Sequence, residues 1–312
     1  MKTRKECYAG ECDMEEWDWR ILQTLYGQKN ITRTAQLLFM SQPALTARLQ
    51  QIEKEYGIKI VHRSSKGVQF TPQGEFLAKS SSEMLHKFRE IKEKVANLNS
   101  EVAGALRIGA SSYFTMYTLP PLLKHFSAQY PRVEFKVTTT WSKDLFNLVH
   151  NQDVHVGFVS SDYGWQNQKH VLFEDEIYIA SVHEIDLERL PELPRIDYAT
   201  DALIRAQIDR WWREHFSQAP LVSMEVDKLA TCKEMVRHGL GYGIMPARIL
   251  ADMPCIRRIR LEDRCGTPLL RQSMMIYQEE CLSMNAVRAF VDFIKQVDFS
   301  AISFFDAGQS IV

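Results

Sequence analysis

The tightest constraint on this chain lies in residues 30–57, where two short amphipathic segments follow one another across a break of about four residues. Thr32-Arg33-Thr34-Ala35-Gln36-Leu37-Leu38 predicts one helix, with Asn30 or Thr32 as its cap. After Phe39-Met40, Ser41 is a good N-cap, and Pro43 falls in the first turn, where its missing N–H costs nothing. Leu45, Leu49 and Ile52 then line one face until Tyr56-Gly57 ends the helix. Ahead of both, Trp19, Ile21, Leu22, Leu25 and Tyr26 fall near helical spacing over 17–26. Small Ala35 sits where helices must approach, so the stretch predicts a helix-turn-helix.

In such a unit the second helix enters the major groove with its N-terminal residues at base edges. Gln42, Thr46, Ala47, Arg48 and Gln50 face away from the Leu45/Leu49/Ile52 stripe. Glutamine can read adenine with two hydrogen bonds, threonine offers a hydroxyl and a methyl, and arginine takes guanine or phosphate. Lys59–Thr71 predicts a short hairpin whose turn, Arg63-Ser64-Ser65-Lys66-Gly67, would act as a wing with cations at phosphates. The solvated face of any three-helix core carries similar residues, so spacing alone leaves both readings open.

Charge adds a little. The net charge is −1, yet residues 16–76 carry eight Lys/Arg against five acids. A basic head on an acidic body fits DNA binding by the head alone. Residues 74–100 predict a helix of about seven turns with Phe76, Leu77, Met84, Leu85, Phe88, Ile91, Val95 and Leu98 along it. That helix is too long and too polar to fold alone and needs a partner. Beyond Gly104, strands at 106–109, 133–139, 154–160, 177–182, 242–245 and 273–277 alternate with helices at 119–130, 143–151, 203–216, 227–239 and 285–297. Such alternation predicts an α/β body with a parallel sheet covered on both faces.

Residues 17–76 resemble the winged helix-turn-helix of the LysR-type transcriptional regulators. The resemblance rests on Ala35-x-x-Leu38-x-x-Ser41-Gln42-Pro43-Ala44-Leu45-Thr46-x-x-Leu49-x-x-Ile52-Glu53-x-x-x-Gly57, then Arg63-x-x-x-Gly67-Val68-x-x-Thr71-x-x-Gly74. Ala47 stands where many relatives have a DNA-contacting arginine. The resemblance implies a flexible tail at 1–15, a DNA-binding domain at 16–73, a linker and dimerisation helix at 74–103, and an effector-binding domain at 104–312. That domain would have a periplasmic-binding-protein-like, two-lobed form, with lobe 1 at 104–178 and 273–312 and lobe 2 at 179–272. A homodimer, associating further into a tetramer, would place two heads on an imperfect palindrome of double-stranded DNA and contact RNA polymerase. Base and phosphate contacts would come from Arg33, Ser41, Gln42, Pro43, Thr46, Arg48, Arg63 and Lys66.

Ligands of α/β folds bind outside the carboxyl ends of strands at a topological switch point. That rule, with the resemblance, directs attention to Ser111 and Ser112 after the first strand, Thr140, Trp141 and Ser142 after the second, Thr200 and Asp201 in the second lobe, and Thr231 on a later helix. Hydroxyls there suit a small effector bearing a carboxylate, although each residue taken singly is equally a helix cap. His155 stands where the family commonly has Asp and reads as a buried neutral imidazole or as a pH-sensitive group.

Other classes fit poorly. No Gly-x-Ser-x-Gly elbow, His-Glu-x-x-His or Walker sequence is present, so neither an enzyme nor a bound cofactor or metal is expected. No run of about 18 apolar residues suggests a membrane span, and the first residues lack the apolar core of a secretory signal. Six cysteines without metal-ligand spacing suit reduced thiols in the cytoplasm, with a redox or metal role for Cys7 and Cys12 as the alternative. A solute-binding protein would leave residues 17–100 unexplained, and a winged-helix regulator of another family would lack the two-lobed body.

Overall fold

The computed structural model of the chain describes residues 14–64, 67–96 and 101–300. It divides into two compact units, Met1–Ala96 and Asn97–Val312. Cys7, Cys12, Lys66 and Leu98 lie outside the described residues.

The first unit contains α1 (Glu16–Gln28), α2 (Ile31–Leu37), α3 (Gln42–Tyr56), β1 (Val61–Ser64), β2 (Gly67–Phe70) and α4 (Pro72–Ala96). Its core joins Trp19, Ile21, Leu22 and Leu25 of α1 to Ala35, Leu45, Leu49 and Ile52, with Val61 and Val68 from the antiparallel β1–β2 hairpin and Leu77 and Leu85 from α4. The caps follow the local chemistry. Asn30 accepts from the Arg33 N–H and Ser41 from the Ala44 N–H, and Gly57 closes α3 at φ 64°. Between α2 and α3 the chain turns through Phe39 at φ 53°, which leaves that side chain 98% exposed.

A relay of contacts fastens the end of α3 to the start of α4. The Glu53 carboxylate accepts the Ile60 N–H at 2.9 Å and the Lys59 ammonium at 2.6 Å, which hold its carboxyl below the usual range despite a burial penalty acting the other way. The Thr71 hydroxyl donates to the Lys59 carbonyl and accepts the Gly74 N–H at 2.9 Å. At Gly74 the helix lies so close to the strand that any Cβ would run into the Ile60 carbonyl. Only glycine permits that approach.

The second unit opens with β3 (Gly104–Ala110), α5 (Ser112–Tyr117), α6 (Leu119–Gln129), β4 (Val133–Thr139), α7 (Ser142–His150) and β5 (Val156–Val159). Then come β6 (Gln168–Ser181), β7 (Arg195–Tyr198), α8 (Ala202–His215), β8 (Val222–Val226), α9 (Leu229–Arg237), β9 (Gly243–Pro246), β10 (Arg257–Arg260), β11 (Leu270–Tyr277) and α10 (Asn285–Gln296). The sheet is mixed rather than parallel. β3 pairs in parallel with β4 and β5, whereas β11 and β6 run antiparallel to their neighbours. These two strands explain the departure, because they carry the chain between two α/β halves. Residues 168–176 of β6 pair with β11, which joins β5, β3 and β4; residues 177–181 pair with β9 and β10. A separate parallel pair, β7–β8, completes the second half.

Buried aromatic rings fill the first half, where Phe114 stacks on Phe158 at 4.2 Å and Phe126 meets Phe290 edge-on at 5.0 Å. The second half has its own core of Ile179, Ile204, Ile208, Trp211, Trp212 and Tyr242. His155 is buried, and its Nδ1 accepts the Arg107 N–H at 3.2 Å. Cys232 and Cys281 are buried, while Cys255 and Cys265 are exposed. Burial pushes the Cys232 thiol up to about 12.

Gly74→Ala should destabilise the first unit by about 1–3 kcal/mol, because the added methyl meets backbone that cannot swing aside. Gly27→Ala in α1, where a Cβ meets nothing within 4 Å, should instead stabilise by about 0.5–1 kcal/mol. Thermal unfolding followed by circular dichroism separates the two, and an unchanged midpoint for Gly74→Ala would show that the strand yields without cost.

Candidate functional site

Two surfaces collect the residues that carry chemistry, one on each unit. On the first, α3 buries Leu45, Leu49 and Ile52 and turns Gln42, Pro43, Ala47 and Gln50 to solvent, with Thr46 half-buried beside them. Arg33 is exposed on α2. Ser41 is exposed too, but its hydroxyl is occupied as the cap of α3. Gln42 accepts from the Thr32 hydroxyl at 3.2 Å, which leaves its amide N–H groups for an external partner. Arg63 lies on β1, within the wing, and Lys66 falls outside the described residues.

Arg48 departs from the expectation of a base contact. Its Nε and Nη2 donate to the two oxygens of Asp18, a fully buried carboxylate on α1. Asp18 also accepts the Glu15 N–H at 2.9 Å as half of a capping box. The carboxylate holds the guanidinium above its ordinary range. Two of its donor nitrogens are thus committed to a buried ion, and Arg48 serves to lock α3 against α1. Around Arg48, the side of α3 turned to solvent presents Gln42, Pro43, Ala47 and Gln50, with Thr46 half-buried among them.

On the second unit the carboxyl ends of β3, β4 and β5 face those of β7 and β8 across a cavity of about 50 Å³. Ser111, Ser112, Thr140, Trp141, Ser142, Thr200 and Asp201 line it together. Thr231 does not; it lies within α9, whose preceding residues Asp227 and Lys228 reach the cavity instead. Ser142 is buried and accepts the Ser160 N–H at 3.1 Å, and Thr140 donates to Asp144 at 3.3 Å. Asp201 accepts the Leu203 N–H at 3.1 Å and the Tyr163 hydroxyl at 2.6 Å, and burial together with that carboxylate pushes the Tyr163 phenol up to about 12.

The centre of the cleft holds two residues that sequence reasoning missed. Ser160, just past β5, lies 3.1 Å from the Ser111 hydroxyl and accepts from Arg271 Nη2 at 2.9 Å. Arg271 is only 6% exposed and stacks its guanidinium 4.4 Å from the Tyr113 ring centre. Tyr113 in turn donates its hydroxyl to Asp175, which also accepts the Arg248 N–H at 3.3 Å. Burial pushes both the Tyr113 phenol and the Asp175 carboxyl up, so the phenol remains a neutral donor. The strand-end rule applied to β5 points at Ser160. For Arg271 the available signal is a single cation entering an otherwise uncharged strand.

Comparison with known proteins identifies the family of both units. Residues 17–75 match the model of the bacterial regulatory helix-turn-helix protein, lysR family, and residues 99–298 match the LysR substrate binding domain. Among curated relatives, the uncharacterized HTH-type transcriptional regulator YraN of Bacillus subtilis is 40% identical over 90% of this chain and 98% of its own. YkuM of the same organism, also described as an uncharacterized HTH-type regulator, is 31% identical over 91% and 98%. Two solved structures share the fold. Full-length CbnR complexed with its target DNA is 17% identical, with a TM-score of 0.63 over 91% of this chain and 99% of its own. The full-length Vibrio cholerae virulence activator AphB is 16% identical, with a TM-score of 0.60 over 90% and 99%. The family consists of DNA-binding transcriptional regulators with an effector-binding domain, not of enzymes. The chain belongs to the LysR family of bacterial transcriptional regulators.

Proposed function

We propose that this regulator reads an imperfect palindrome with Gln42, Pro43 and Thr46 at base edges. Ser41 and Arg33 would hold the flanking phosphates, joined by the wing cations Arg63 and Lys66. The observation that carries this reading is the exposed face of α3, where the glutamine amide stands beside a threonine and two alanines with no carboxylate among them. A small molecule with a carboxylate occupies the cleft of the second unit, received by the hydroxyls of Ser111, Ser112, Thr140, Ser142 and Thr200, with Trp141 as a half-open aromatic wall and buried Asp201 in the lining.

Dimerisation runs through α4. Its Leu77, Leu85 and Phe88 pack on the first unit's core, whereas Phe76, Met84, Ile91 and Val95 remain exposed along it. Residues spaced this way need a second helix to cover them. Two dimers assemble into a tetramer through their effector domains, and the DNA-bound assembly presents a surface to RNA polymerase. The effector acts only through its difference in affinity between the arrangements of the heads. No helix among the described residues is long and apolar enough to cross a membrane, and a protein that works on bacterial DNA would do so in the cytoplasm.

Gln42→Ala should weaken binding to the operator by about 1–3 kcal/mol and leave non-specific binding intact; equal loss on both would remove its reading role. Arg33→Ala should lower the slope of log affinity against log salt by roughly 0.9, and an unchanged slope would take it off the phosphates. Ile91→Glu with Val95→Glu in the full chain should halve the mass of the assembly in sedimentation. A tetramer that persists would exclude α4 from the interface.

A further inference from the structure

The proposed carboxylate site leaves one group unaccounted for. Arg271 is a buried cation, and among the described residues no carboxylate lies within ion-pair distance of it. Its Nη2 reaches the Ser160 hydroxyl, its ring-facing side rests on Tyr113, and its Nε is buried without an acceptor. Burying a charge in this way costs free energy unless a partner of opposite charge arrives. The nearest candidate within the fold is Asp175, which stands directly opposite Arg271 in the pairing of β6 with β11. Tyr113 stands between them, with its ring against the guanidinium and its hydroxyl on the carboxylate. Asp175 is thereby satisfied by Tyr113 and by the Arg248 backbone, and the guanidinium still faces the cavity.

We infer that Arg271 is the counter-charge for the effector's carboxylate, and that Asp175 behind the Tyr113 ring sets how strongly the cleft draws an anion. The inference rests on the cleft being the effector site. β6 and β11 are the strands that pass between the two halves, so a carboxylate on Arg271 binds at the junction the halves share. The groups facing this charge are the hydroxyls of Ser111 and Ser160, the Tyr113 phenol and Asp175 on the first half; Asp201, Asp227 and Lys228 line the cavity from the second. Arg248 lies beyond Asp175, with its guanidinium 3.9 Å from the Phe173 ring centre. A bare carboxylate gains the Arg271 charge on the first side. The pair Asp201 and Asp227 favours a ligand whose far end donates hydrogen bonds, such as a small hydroxy acid or amino acid.

The test measures the melting temperature of the full-length protein in titrations of sodium acetate, glycolate, glycine, benzoate and succinate, with sodium chloride at matched ionic strength. At least one carboxylate should raise the melting temperature of the unaltered protein beyond chloride. Arg271→Gln should abolish that rise, and Arg271→Lys should retain part of it. Asp175→Asn should shift the response the opposite way, tightening the apparent affinity by roughly tenfold, because a competing negative charge near the bound anion is gone. A merely structural Arg271 would not produce opposite signs at the two positions. Ser112→Trp, which fills the cavity from an exposed position, separates the two readings. A carboxylate response that survives Arg271→Gln but not Ser112→Trp keeps the cleft and overturns the role of Arg271. A response that survives both, or none in the unaltered protein, overturns this inference together with the cleft.

Discussion

Strand β6 belongs to both halves of the effector domain, and much of that domain's behaviour follows from this sharing. A strand cannot bend freely while its ladder bonds hold on both sides. The point where β6 leaves β11 and takes up β9 and β10 is at residues 176–177. The β6–β11 ladder shifts register once, between Ser273 and Met274, opposite Val171–Phe173 and away from that point. The cleft lies beside this junction because the parallel strands of each half end there, and loops at strand ends are free to carry polar groups that a strand interior could not satisfy.

The head depends on a different device. Asp18 is fully buried, and a buried carboxylate is tolerated only with partners that satisfy it. It has three: the Glu15 N–H and two donors from Arg48. Removing Arg48 would leave that ion unpaired at a cost of about 3–5 kcal/mol, which exceeds what a single base contact returns. The pair also fixes the roll of α3 relative to α1, and so decides which side chains reach solvent.

Much of this was legible from the chain, and the exceptions share a cause. The bounds of α3 were readable because Ser41 and Gly57 announce them locally, and the strand at 133–139 because its alternation is strong. β10 was missed because Arg257-Arg258-Ile259-Arg260 carries the charges that an edge strand uses to discourage further pairing. β7 was hidden in the same way by Arg195 and Asp197, which pair with each other at 2.6 Å. In the cleft, the hydroxyls following strands were legible from the strand-end rule. The tie of Arg48 to Asp18 and the place of Arg271 in the cleft were not legible because their partners lie 30 and 111 residues away. Helical or strand periodicity carries no information about such pairings.

The close approach at Gly74 has a mechanical consequence. With no side chain between the start of α4 and the Ile60 backbone, and with Thr71 bonded to both, the wing and the long helix share one rigid root. Torque applied along α4 reaches the hairpin and the recognition helix without slack. In the proposed dimer through α4, a change in crossing angle would thus swing each head as a unit, altering the separation of the two heads in preference to loosening either grip.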